Sequence, residues 1–206
     1  MQPANHAVSR TNAANAIYGR LKGAAIMASF GAVWLAAGLL QAGMATAYAV
    51  LAAVVTLLVP MVAGTMLARR ARCDHPPTQA RWPAEMRRTF IGINVAQWVA
   101  IFGASLLLQV LGMQQWITLS IITVVGLHFI PLARLFGYWP HYLTGMAMVM
   151  IALLVGTLAP NDPQTALAPI ASGLVLWISA LFAIASARRA AQRTDMTTVH
   201  DNAMRV

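Results

Sequence analysis

Six long apolar runs organise the chain, near 24–43, 48–68, 90–112, 116–136, 141–159 and 166–187. Each approaches the ~20 residues that an α-helix needs to cross a hydrocarbon core roughly 30 Å thick. Turn-forming residues separate them. Gly112-Met113-Gln114-Gln115 reads as a tight turn, and Pro160-Asn161-Asp162-Pro163 as another with prolines as stops. Ala42-Gly43-Met44-Ala45-Thr46 is equally short and uncharged. The pattern predicts an all-α integral membrane protein of six transmembrane helices, arranged as three antiparallel hairpins. A tail over 1–23, a loop over 69–89 and a tail over 188–206 complete the expected layout of a single domain at 24–187.

Charge adds direction to this picture. All fourteen Lys and Arg residues lie in or at the edge of gaps between the runs, and every second gap has none. Arg10, Arg20 and Lys22 precede the first run, and Arg69, Arg70, Arg72, Arg81, Arg87 and Arg88 fill the gap after the second. Arg134 closes the fourth run, while Arg188, Arg189, Arg193 and Arg205 follow the sixth. The positive-inside rule then predicts that both termini and the 69–89 loop are cytoplasmic. Trp82, Trp116 and Trp139 fall near the expected interfaces, as an aromatic belt requires. Arg-rich, Ala-rich usage resembles that of a GC-rich bacterial genome, so the expected location is a bacterial inner membrane.

Composition excludes other classes. At 59% hydrophobic and 9% charged, with a mean hydropathy of +0.67, the chain lies outside the soluble globular range. A net charge of +9 would point to nucleic acid in a soluble protein. Here anionic lipid at the cytoplasmic face accounts for it. No nucleic-acid partner is expected, because the basic segments are short and lack basic–aromatic interleaving. The single cysteine, Cys73, excludes an intramolecular disulfide and a cysteine metal cluster. Ala45-Thr46-Ala47 resembles a signal-peptide cleavage site, but the apolar stretch before it is longer than such signals carry, so a retained first helix is expected. Leu39-Leu40-Gln41 with Gly43-Met44 loosely matches Leu107-Leu108-Gln109 with Gly112-Met113, and Pro60 and Pro131 sit at similar places in the helices that follow. Transporter repeats look like this, and so do chance matches in Ala/Leu/Val-rich sequence.

Polar residues inside the runs are the candidate chemistry. No Asp or Glu lies in any run, which argues against a proton-coupled exporter built on a membrane-embedded carboxylate. On the third run Asn94, Gln97, Trp98, Ser105 and Gln109 share an arc of about 120° at 100° per residue. On the fourth, Ser120, Thr123, His128, Pro131 and Arg134 share a broader one. Gln97 lies about 10 Å in from Phe90 and His128 about 12 Å in from Phe136 at 1.5 Å per residue. An antiparallel pair would bring Asn94, Gln97 and His128 to one level. These groups either bond across helices as packing or line a polar cavity with His128 titrating near neutral pH. Pro131 frees the Leu127 carbonyl, and that carbonyl or Gln97 is expected to orient the imidazole. Arg134 reads as a snorkelling interface anchor.

His128 and His141 fall on different helices at different depths, so they do not form a haem or metal pair, and no cofactor or metal site is expected. Met146, Met148 and Met150 spread over separate helix faces, as packing or lipid-facing residues do. Gly31, Gly38, Ser179, Ala183 and Ala187 should permit close helix approach. Catalytic patterns are not found: Ile170-Ala171-Ser172-Gly173 lacks the leading glycine of an intramembrane serine protease, and there is neither a phosphate-binding loop nor a dinucleotide fingerprint.

The stretch Val125-Gly126-Leu127-His128-Phe129-Ile130-Pro131-Leu132-Ala133-Arg134 resembles a signature of small bacterial multi-pass membrane proteins, in which Gly-Leu-His-Phe-x-Pro-Leu-Ala ends one helix. A short aromatic loop there leads to a Tyr-x-x-Gly-like helix start, here Phe136-Gly137-Tyr138-Trp139-Pro140-His141-Tyr142-Leu143-Thr144-Gly145. The resemblance covers about twenty residues and implies a membrane protein but no activity. Together the residues lead to the expectation of a non-enzymatic small-solute permease or channel, with a polar path along helices three and four. A non-transporting assembly, sensor or stress-associated partner is the alternative, and a homodimer is plausible because six spans are few for a complete carrier.

Overall fold

Six helices follow one another along the chain: α1 (Pro3–Gln41), α2 (Thr46–Asp74), α3 (Ala84–Val110), α4 (Ile117–Phe136), α5 (Pro140–Leu158) and α6 (Leu167–Ala203), with a 3₁₀ turn at Gln114–Trp116. The computed structural model describes residues 3–74 and 83–203, with side chains for 19–66, 83–190 and Gln192. Each helix contains a segment long and apolar enough to cross a membrane: Gly19–Gln41, Thr46–Met66, Ala84–Val110, Gln114–Phe136, Pro140–Leu158 and Leu167–Ala190. The chain is an all-helical, multi-pass membrane protein. Trp82 and the side chains of Arg10, Arg69, Arg70, Arg72, Cys73, Arg81, Arg193 and Arg205 lie outside the described residues.

The helices overrun the apolar runs. α1 begins at Pro3 and α6 continues to Ala203, so helix occupies much of both tails, and α2 and α3 extend into the 69–89 loop. Backbone hydrogen bonding continues past a hydropathy boundary, and the Ala and Arg of these segments are strong helix formers. At 27 residues α3 spans about 40 Å, more than the hydrocarbon core. Glu85, Arg87 and Arg88, all exposed on its first turns, therefore fit a position at the interface.

Helix α4 ends at Gly137, whose φ of 58° is left-handed. The Tyr138 amide donates to the Ala133 carbonyl at 3.1 Å and the Gly137 amide to that of Arg134 at 3.3 Å, the paired bonds of a Schellman cap. Gly43 and Gly112 close α1 and α3 in the same way. These caps turn the chain sharply enough for successive helices to run in opposite senses.

Contacts fix the two ends of the bundle. Arg20 Nη1 donates to the Ser186 carbonyl at 3.4 Å, and its guanidinium carbon lies 5.8 Å from the Tyr138 ring. The start of α1, the end of α6 and the α4–α5 turn therefore meet. At the opposite end, Gln164 Nε2 donates to the Gln114 carbonyl at 3.4 Å. The described Lys and Arg side chains thus gather at one end, called here the basic end.

Packing does not divide by hairpin. Consecutive helices do touch in the pairs α1–α2, α3–α4 and α5–α6, yet the most extensive packing is α1 on α6. Traced by contact, the order is α2, α1, α6, α5, α4, α3, and among the described residues α2 and α3 do not meet. The core joins Met27 and Ala28 of α1, Ile122 and Phe129 of α4, Met148 of α5 and Leu176 of α6. Met146 and Met150, on other faces of α5, are exposed.

Small residues set the crossings. A Cβ on Gly173 would lie 2.8 Å from the Gly31 carbonyl oxygen, and one on Gly38 would lie 2.8 Å from the Ile170 nitrogen. Ala183 and Ala187 are buried on the same helix. The Thr144 and Ser179 hydroxyls share a 2.8 Å hydrogen bond between α5 and α6. Pro60, fully buried in α2, cannot donate to the Thr56 carbonyl one turn back. The Trp177 indole N–H of α6 donates to that oxygen instead, at 2.9 Å.

Candidate functional site

Helix α4 carries the most distinctive polar group inside the bundle. Its core face presents Leu119, Ile122, Gly126, Phe129 and Leu132. His128 is adjacent in sequence to buried Phe129, so it points about 100° away around the helix. Both of its ring nitrogens are buried, and neither has a hydrogen-bond partner. Pro131, three residues on, lies within the helix and cannot donate to the Leu127 carbonyl.

Aromatic rings surround this position toward the basic end. The Phe129 ring lies 5.8 Å from that of His128 and 5.5 Å from that of His141, so one phenyl neighbours both imidazoles. His141, on the first turn of α5, also faces Tyr138 at 5.0 Å and Phe136 at 6.4 Å. Phe90 of α3 meets Phe136 at 6.0 Å. The Tyr138 hydroxyl is buried without a partner, like the His128 nitrogens. Four elements build the cluster: α3, α4, the α4–α5 turn and α5, with Arg20 of α1 over the Tyr138 ring.

Among the described side chains the cluster contains no carboxylate. Among side chains described, Asp162 lies in the turn at the opposite end and Glu85 is exposed on the first turn of α3. Arg20 is a cation at the cluster, and its guanidinium is already engaged by the Ser186 carbonyl and the Tyr138 ring. Among the described residues no three His, Cys, Asp or Glu gather as a metal-binding group would require.

The sequence-derived site is brought together only in part. The Asn94 amide donates to the Phe90 carbonyl at 2.8 Å, within its own helix. Gln97 is half-buried, but the unpartnered imidazole means that it does not orient His128, and neither does the Leu127 carbonyl. Both expected orienting bonds are therefore absent. An i−4 carbonyl is always within reach of a helical Asn, whereas a bond across helices requires the two backbones to lie close.

The α3 stripe also needs correction. Asn94, Gln97 and Ser105 share a half-buried face with buried Ile101, but Trp98 and Gln109 are exposed. Trp98 stacks on Phe102 at 5.8 Å on the outer surface. In a membrane the outer face is as apolar as the core, so polarity alone did not mark the packed side. Arg134 is exposed in the last turn of α4, where a cation favours the helix dipole.

Sequence reasoning passed over Tyr138, Phe129 and Arg20 as site residues, and weighed His141 only as a ligand to haem or metal. The signal for three of them was present, since Phe129, Tyr138 and His141 stand within the quoted Gly-Leu-His-Phe stretch and its continuation. Arg20 carried none, because its partners are distant in the chain. No protein-family model, curated protein or solved structure matches this chain.

Proposed function

We propose that the chain is a bacterial inner-membrane protein with both termini in the cytoplasm, acting without catalysis as a small-solute permease or channel. The observation that carries this reading is the pair of buried, unpartnered nitrogens on His128. A polar group inside a bilayer is costly unless it finds a partner, and intramembrane ionisable residues mark pathways for that reason. A passing polar solute would supply the partner. Asn94 and Gln97, half-buried on α3, and Pro131, which loosens α4 beside His128, extend the polar path along the α3–α4 boundary. Arg134 anchors the same helix at the interface, and the basic end meets anionic lipid.

One observation favours a second reading. Among the described residues α3 packs only on α4 and the 3₁₀ turn before it, and it leaves a broad apolar face outward. That edge suits a non-transporting assembly or sensor protein that binds a partner or a second copy in the bilayer.

Solute flux into proteoliposomes separates the two. The permease reading expects measurable flux for at least one small polar solute, slowed several-fold by His128→Ala and less by Gln97→Ala. No flux across a broad panel, with a stable co-purifying protein, favours the partner reading. Flux that His128→Ala leaves unchanged in rate and pH profile removes His128 from the path.

A further inference from the structure

We infer that the aromatic–histidine cluster at the basic end binds an uncharged, membrane-soluble ring compound bearing hydroxyl or carbonyl oxygens, of the quinol or quinone class. The inference rests on the proposed function only in placing a ligand at His128, and it names that ligand's chemistry.

Three features define what fits. The first is hydrogen-bonding capacity. A neutral imidazole offers one donor and one acceptor, and a phenol offers both. In His128 and Tyr138 these capacities are buried and unused. A quinol hydroxyl donates and accepts, and a quinone carbonyl accepts, so either matches the capacity of an imidazole or of a phenol.

The second is shape. Phe129, Phe136 and Tyr138 each stand within 6.4 Å of the His141 ring, centroid to centroid. Flat aromatic walls favour a flat guest through offset or edge-on ring contacts. Pro131 leaves α4 one hydrogen bond short at this level, where a helix bends most readily to admit a ring.

The third is charge. An organic cation would find aromatic faces but also Arg20, with no carboxylate among the described side chains of the cluster to balance it. An anion would meet Arg20, and that guanidinium is committed to the Ser186 carbonyl and the Tyr138 ring. An uncharged guest avoids both costs. The cluster also sits near the membrane interface, where the polar head of an amphiphilic ring compound resides while its tail lies in the hydrocarbon.

The test uses the full chain in lipid nanodiscs with decyl-benzoquinol and decyl-benzoquinone as probes, scoring saturable binding above that of empty nanodiscs. His128→Phe and Tyr138→Phe keep a ring in place and remove only the polar atoms. The expected result is saturable binding that weakens at least tenfold in His128→Phe and several-fold in Tyr138→Phe, with no competition from an alkyl-trimethylammonium or an alkyl phosphate. If His128→Phe does not fold, Tyr138→Phe alone decides. Absence of saturable binding, equal binding by the folded variants, or displacement by either charged probe overturns the inference. Solute flux without quinol binding would defeat this inference and leave the permease standing, while quinol binding without flux would do the reverse.

Discussion

Gly126 of α4 and Gly145 of α5 meet backbone to backbone: a Cβ on Gly145 would lie 2.5 Å from the Gly126 carbonyl oxygen, and one on Gly126 would lie 2.9 Å from that of Gly145. The contact is reciprocal, so neither helix can yield without moving the other. It also holds Phe129 beside α5, since the same Cβ on Gly145 would approach Phe129 Cβ at 3.1 Å. The crossing that closes the core thus also sets the spacing of the aromatic–histidine cluster.

Gly145→Ala is expected to destabilise the protein by about 1–3 kcal/mol, the usual cost of overpacking a close contact. Gly126→Ala should do likewise. Gly103, also on a membrane helix, has open space around it, so Gly103→Ala should be neutral or mildly stabilising through helix propensity. Thermal unfolding in detergent compares the three. Equal melting points for Gly145→Ala and wild type would show that the crossing is looser than described.

A second expectation concerns Trp177 and Pro60. Trp177→Phe removes the donor to the Thr56 carbonyl and should cost about 1 kcal/mol, the usual net value of such a bond. Pro60→Ala restores an amide that can take over this carbonyl within α2. In the double variant the loss of the indole N–H should therefore cost less than it does alone. A double-mutant cycle on unfolding free energy measures this coupling, and strict additivity would mean that the proline and the indole act independently.

Much of the fold was legible in the sequence, for reasons that particular residues make plain. Run length and turn chemistry revealed the six spans, and Gly43 and Gly112 stood within the expected turns because a left-handed cap demands a residue without Cβ. Gly31 and Gly38 were recognisable as crossing residues by their size. Partner choice was not legible. Nothing local to Trp177 points to Thr56, and nothing local to Arg20 points to Ser186. The outward placement of Trp98 and Gln109 was equally hidden, because lipid and core reward the same apolar side chains. In the site, His128 stood out as an ionisable group within an apolar run, while its lack of partners emerged only from three-dimensional packing.

Ser172 offers a third check. Its side chain is fully buried and its hydroxyl has no partner. Ser172→Ala removes an unsatisfied polar atom with little change in volume, so stability should stay level or rise, by up to about 1–3 kcal/mol. A clear fall in melting temperature would reveal a hydrogen bond that the hydroxyl makes in the membrane.

The Thr144–Ser179 pair joins α5 to α6 through a bond that uses one hydroxyl proton, leaving the other hydroxyl to donate to a carbonyl of its own helix, Pro140 for Thr144 or Val175 for Ser179. Ser179→Ala is expected to cost about 0.6 kcal/mol, typical for bonds between membrane helices. A loss of several kcal/mol on chemical denaturation in micelles would show instead that the pair holds the two helices in place.

The proposed orientation places the basic end and its His128 cluster toward the cytoplasm. Cys73, the single cysteine, lies near the end of α2 at the basic end and needs no engineering as a reporter. Intact spheroplasts treated with a membrane-impermeant maleimide should leave Cys73 unlabelled, and permeabilisation should then allow labelling. Labelling of Cys73 in intact spheroplasts would reverse the orientation and contradict the account.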